Sequence, residues 1–274
     1  MRIYVFLCLA VITCAFSACT ETMHVYVPSA VNVPLLKEKN EVKGLVSLNA
    51  AQIAYAPTDH FAVMAGGQWV FNRSWLYGGD NGEYYGDDDV IDYDARGSSV
   101  EVGAGYFTAL DEKRRAVFDV YGGVGIGNFR TIDDAYYQNA GTDKKVDYKV
   151  GSRFTKFFVQ PSIGLSHKVI EVAFTPRFSV VRFHSQTRNS LAFANDPEGL
   201  ANFTSLNNTW VPFLEPTVTF KVGYKYIKYS MQLTVSNALR DDEYSDTYIT
   251  DYFQRVAFNV GASFNFGSWL NAKR

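Results

Sequence analysis

The sequence predicts an all-β chain: a closed, up-and-down antiparallel transmembrane β-barrel of about ten strands, with eight as the alternative count. Three observations predict it. Apolar and polar residues alternate with period two through most of the chain, the alternating segments are longer than the usual strand of about 5–6 residues, and the connections between them alternate between short and long. Composition agrees. The chain has 274 residues with 21 Phe, 18 Tyr and 21 Gly, residue types that suit strands and tight turns better than helices. A hydrophobic content of 47% excludes a disordered chain, and a net charge of −2 lacks the basic excess of a nucleic-acid binder.

Residues 1–18 read as a signal peptide. Arg2 supplies the early positive charge, and the apolar run from Ile3 to Phe16 is short of the ~20 residues a helix needs to cross a bilayer. All three cysteines, Cys8, Cys14 and Cys19, fall in this leader or at its end, so the exported body cannot form an intrachain disulfide. Phe16-Ser17-Ala18-Cys19 resembles a bacterial lipobox, with Phe16 where Leu is usual. That resemblance implies cleavage before Cys19 and acylation of it. Thr20 follows, where Asp is associated with retention in the inner membrane. Residues 19–40, with Pro28 and Pro34, read as a lipidated tether. No later run of about 18 apolar residues exists, so no transmembrane helix is expected.

Residues 41–267 carry the barrel pattern. Segments 44–48 and 51–55 are both strand-like, but their apolar parity switches near Asn49. A turn there gives ten strands and a bulge gives nine; even counts rule in single-chain bacterial barrels, so ten is preferred. Segment 61–72 alternates loosely around Trp69 and Phe71. Then Val100, Val102, Ala104 and Tyr106 oppose Glu101, Gly103 and Gly105, and Phe118, Val120, Val124 and Ile126 oppose Asp119, Gly123 and Gly125. The same holds for Phe157, Val159, Ile163 and Leu165 against Gln160, Ser162 and Gly164, and for Val172, Phe174, Phe178 and Val180 against Glu171, Thr175 and Arg177. Leu214, Val218, Phe220 and Val222 oppose Glu215, Thr217, Thr219 and Lys221; Tyr229, Met231 and Leu233 oppose Lys228, Ser230 and Gln232. The last segment, 257–267, is the clearest, with Phe258, Val260, Ala262, Phe264 and Phe266 on one face. Residues 268–274 are left as a tail.

Two hairpins can be registered directly. Pairing Val222 with Tyr229 brings Phe220 to Met231 and Val218 to Leu233. Pairing Leu165 with Val172 brings Ile163 to Phe174 and Pro161 to Pro176. Long dyad strands with one continuous apolar face are the signature of an outer-membrane barrel, in which the greasy face meets lipid. Glu101, Asp119, Glu171, Arg177, Glu215, Lys221 and Lys228 then become lumen charges that pair across the interior. Pro161, Pro176, Pro212 and Pro216 predict a bulge or strained patch, because proline cannot donate to a ladder.

Short connections at 57–60, 111–115, 166–169 and 225–226 alternate with long ones at 74–97, 130–151, 185–209 and 240–251. A barrel with short periplasmic turns and long extracellular loops does this. The aromatic end of the last strand resembles the signal read by the barrel-assembly machinery, although residues 267–274 follow it. Loop 74–97 is acidic and rich in Tyr. Its Asp87, Asp88, Asp89, Asp92 and Asp94 are a candidate surface-ligand or Ca²⁺ cluster, without the spacing of an EF-hand, and a solvated acidic loop is the plainer reading. His184-Ser185, at the outer end of a strand, is the one catalytic candidate. Gly122 to Gly127 is glycine-rich but lies inside a strand, so its glycines relieve crowding and hold no nucleotide. His24, His60 and His167 make no metal cluster, and no cofactor is expected.

The lipobox-like start and the dyad strands together resemble the small outer-membrane β-barrel lipoproteins of Gram-negative bacteria. The resemblance implies a non-enzymatic outer-membrane protein, lipid-anchored at its mature N-terminus. Its role would be structural or surface-binding, with outer-membrane lipid, the barrel-assembly machinery and an extracellular glycan or protein as partners. The alternatives are a narrow channel for ions or small solutes and a surface hydrolase using His184.

Overall fold

A computed structural model describes residues 23–71, 92, 94–133, 135–138, 144–224, 226–240, 243–244 and 247–266. The leader, Cys19, Asp87, Asp88, Asp89 and the tail 268–274 lie outside the described residues.

Ten antiparallel strands close into a barrel: β1 (Val42–Ser47), β2 (Ala50–Tyr55), β3 (Phe61–Val70), β4 (Arg96–Ala109), β5 (Ala116–Ile132), β6 (Lys149–Ser166), β7 (Ile170–Arg188), β8 (Trp210–Tyr224), β9 (Ile227–Val235) and β10 (Val256–Asn265). Each pairs with its sequence neighbour, and β10 pairs with β1 through Lys43↔Asn265 to Ser47↔Gly261, which closes the cylinder. The two-residue strand Asn237–Ala238 adds to β8 outside this ring. The parity switch at Asn49 is a turn, as the even count requires. Among the described residues, no helix is long and apolar enough to cross a membrane.

Both registers read from the hairpins are those of the structure. The side-chain period of two then decides which face each residue takes. One apolar row runs in register across six strands: Phe118, Ile163, Phe174, Val218, Leu233 and Phe258. A second joins Val102, Val124, Phe157 and Val180. These side chains point outward, with Phe258 60% and Val102 56% exposed. The polar partners point inward and are buried.

The prolines do not make the expected bulge. Pro176 faces Pro216 in register, and β6 and β7 keep one register from Val159↔Phe178 to Ile163↔Phe174, across the level of Pro161 and Pro176. The prolines interrupt pairing at that level without shifting it. The one register shift between these strands lies at Gly151/Arg153.

A second correction concerns residues 19–40. From Met23 to Leu36 the chain lies inside the barrel, as an extended plug whose residues are nearly all buried. A cylinder of ten strands is wider than the eight-stranded size that side chains alone fill, and this segment occupies the difference. Pro28, Pro34 and four valines favour its extended form. The sequence contained a signal against a tether: a solvated linker would not carry Met23, Val25, Tyr26, Val27, Val31, Val33, Leu35 and Leu36.

Candidate functional site

The lumen is a polar clamp around the plug. An extended chain inside a barrel has no ladder of its own, so its backbone groups need side-chain partners. Glutamines from four strands supply them. Gln68 Oε1 accepts from Ala30 N at 2.6 Å, and Gln52 Nε2 donates to Ala30 O at 2.7 Å. Gln232 holds both backbone groups of Val31, each at 2.8 Å, and Gln160 donates to Asn32 O at 2.8 Å. Lysines take the next carbonyls: Lys221 Nζ to Val33 O at 2.8 Å and Lys43 Nζ to Leu35 O at 2.7 Å.

The buried charges form two layers around this clamp. In one, Glu101 lies between Arg177 and Lys156, the latter at 2.5 Å, while Glu215 accepts from Tyr26 Oη at 2.7 Å and Ser179 Oγ at 2.6 Å. The Arg177 guanidinium also lies over the Phe158 ring at 4.1 Å. In the other, Glu171 gathers Lys228 at 2.9 Å, Lys221 at 3.8 Å and Lys43 at 4.0 Å, and Lys43 reaches Glu41 at 3.3 Å. Six of the seven lumen charges named from sequence are buried, and the seventh, Glu101, keeps only 13% of its side chain exposed. Asp119 stands opposite Ser162 on β6. Sequence reasoning missed Glu41, Lys43 and Lys156. Lys43 and Lys156 continue the inward parity of their strands, one step before the segments as read from sequence begin, and Glu41 precedes the first strand.

Glycines make room for this interior. On β5 the inward Gly123 and Gly127 leave space for the rings of Phe158 and Phe154; a Cβ at either position would come within 2.4 Å of those rings. Leu35 of the plug seats on Gly164 in the same way, where a Cβ would meet its methyls at 2.8 Å.

Toward the long-loop mouth the lumen becomes apolar, which the dyad reading did not foresee. The ring of Tyr26 packs on Phe213 at 4.8 Å and Phe154 at 5.3 Å, with Phe183 and Phe253 beside it. The signal was the adjacent apolar pair Val180-Val181, where both parities are greasy at once, followed by Phe183 on the inward parity. Helix α1 (Pro197–Ser205), with Asp196 as N-cap, lays Phe203 on this cluster. The plug is stitched to the mouth by Val25 N to Tyr252 O at 2.9 Å and by the bridge between Tyr26 and Phe253. The lumen retains a cavity of about 20 Å³ lined by Ser29, Gln52, Met64, Gln68 and Glu101.

Asp92 is a latch for the plug. Its carboxylate accepts from His24 N at 2.9 Å, Asp94 N at 2.8 Å, Ala95 N at 2.9 Å and Thr131 Oγ1. Burial pushes its carboxyl up to about 7, against the pull of these donors. Asp94 pairs with Lys145 at 2.9 Å. Both acids are therefore engaged within the protein, and among the described residues no three His, Cys, Asp or Glu converge as metal ligands. His184 lies on the outer face of β7, 3.3 Å from Thr155 Oγ1 and from Ser185 Oγ. Among the described residues no carboxylate contacts it to orient it as a base.

In comparison with known proteins, no family model matches the chain, and no curated protein matches it in sequence.

Proposed function

We propose that this protein is an outer-membrane β-barrel lipoprotein that works without catalysis, as a plugged cylinder presenting surface-binding loops. The observation that carries the reading is the inversion of polarity: apolar rows outside, and charges and amides inside, bound to the chain's own N-terminal segment. Water would penalise the exposed rows, whereas hydrocarbon accepts them. The plug supports a scaffold over a channel, because the lumen amides and cations that would line a water path are bound to plug backbone or to lumen carboxylates. The strands joined by the acidic, tyrosine-rich connections end at one mouth of the barrel, where an extracellular glycan or protein would meet those connections; Tyr gives contact area at low entropic cost.

Lipidation at Cys19 is part of the same proposal, and the plug gives it a direction. Met23 lies at the long-loop mouth, bonded through its neighbours to residues 92 and 252. Cys19 precedes it by four residues, a reach of at most about 14 Å, so the acyl chains belong to the leaflet on the long-loop side. Labelling with a palmitate analogue tests attachment: the wild type incorporates label and Cys19→Ser does not. An epitope inserted after Thr20 tests direction, because antibody binding to intact cells is expected and binding only after permeabilisation overturns it. Heat-dependent gel mobility in detergent tests the barrel in its membrane form.

A further inference from the structure

The outer wall of β4–β7 carries a basic patch that the lumen clamp does not use. Register places Arg96 directly opposite Arg130 on β4 and β5. One rung toward the barrel's middle, Ser98, Asn128, Arg153 and His184 stand side by side across four strands. One rung further, Thr155 faces Arg182, and Arg182 faces Trp210, with its guanidinium 5.6 Å from the indole. Arg96, Arg130, Arg153 and Arg182 are all exposed. Among the described residues none of the four has a carboxylate partner, although every buried Lys or Arg of the lumen has one or holds a backbone carbonyl. Like charges directly opposed across an antiparallel ladder destabilise it, so the Arg96–Arg130 pair is a cost that an external anion would offset.

The level of the patch identifies that anion. Val100 and Ile126 share the rung of Thr155 and Arg182, and the next rung is Val102, Val124, Phe157 and Val180. Two residues along a strand span about 7 Å, so Arg153 sits about one headgroup's depth beyond the Val100–Ile126 edge of the apolar band, Arg96 and Arg130 lie further out, and Arg182 stands level with that edge. Trp210 stands at the same height, where membrane barrels place their aromatic girdles. A groove of about 390 Å³ joins the two zones, with Val100 and Ile126 on one side and Asn128, Arg153 and His184 on the other. Arginine binds phosphate through paired N–H donors.

We propose that this patch holds the phosphate headgroup of an anionic membrane lipid in the leaflet on the long-loop side, with an acyl chain along the groove. The inference rests on the membrane reading above. The bare edge of the apolar band favours a lipid over a soluble partner, which bilayer headgroups would keep away from this height.

The test uses the full chain reconstituted into nanodiscs of phosphatidylcholine with a minor fraction of phosphatidylglycerol, followed by native mass spectrometry. The wild type is expected to retain phosphatidylglycerol over phosphatidylcholine by about tenfold or more. R96Q/R130Q/R153Q is expected to lose that preference, R96K/R130K/R153K to keep part of it, and K113Q/K168Q, at the opposite end, to keep all of it. Equal retention of the two lipids by the wild type, an unchanged preference in the Gln triple variant, or complete competition by millimolar inorganic phosphate overturns the lipid assignment. If the Gln triple variant does not fold, the full wild-type preference in each of the single variants R96Q, R130Q and R153Q overturns it instead. Failure of the wild type to insert into phosphatidylcholine discs overturns the membrane reading itself, whereas insertion without lipid preference overturns only this inference.

Discussion

Arg177 and Arg153 stand on neighbouring strands and point to opposite sides of the same wall. Arg177 is fully buried, bonded to Glu101, near Glu215 and stacked on Phe158. Arg153 is exposed, between Asn128 and His184, and no carboxylate among the described residues pairs with it. The lumen arginine is part of the fold, because an ion withdrawn from water persists only with partners. The wall arginine is free to meet something outside. Their side-chain chemistry is identical, and strand parity alone separates the roles.

The contrast can be broken most forcefully at the plug. Deleting residues 23–36 removes the backbone that the lumen amides and lysines hold, and it opens the cylinder. Planar-bilayer recordings are expected to show stepwise conductance for the deletion and background for the wild type; a silent deletion variant with an intact barrel would mean that side chains alone close the lumen. Next is Arg177→Met. It leaves Glu101 and Glu215 short of a cation in a buried site, and a loss of about 3–5 kcal/mol is expected in urea unfolding followed by tryptophan fluorescence.

Asp92 comes third. Asp92→Asn weakens a buried acceptor and is expected to cost about 1–3 kcal/mol. It also carries a pH signature. The folded carboxyl sits near 7 and the ordinary carboxyl near 3.8, so between these values the native state holds a proton that the unfolded chain has released. Stability from this group therefore falls as pH rises from about 4 to about 7, and is level outside that window. Melting temperature against pH should show this slope in the wild type and lose it in Asp92→Asn. Smallest is Arg153→Gln, expected to change stability by less than about 0.5 kcal/mol. A larger loss would place Arg153 with Arg177 as a structural residue.

Seven of the lumen charges were legible residue by residue, because alternation around Glu101, Glu171 and Glu215 tells inward from outward without any coordinates, whereas Glu41, Lys43 and Lys156 lie just outside the segments that alternation marks out. The wall patch was not legible. Arg96, Arg130, Arg153 and Arg182 lie on four strands at unrelated spacings, and only the cross-strand registers bring them together. His184 illustrates the limit of a local motif: the His-Ser pair is real, but its third member would have to come from another strand, and there register places Arg153 opposite it while Thr155 meets its ring.

From the chain alone came the period of two, the parity switch at Asn49 and the inverted sense of the two faces. All are consequences of where consecutive side chains point on an extended backbone. Tertiary structure decided that the segment from Met23 to Leu36 fills the cylinder. That outcome depends on the width of a closed ten-strand ring and on amides from β2, β3, β6 and β9 meeting one backbone, a convergence that no local pattern encodes.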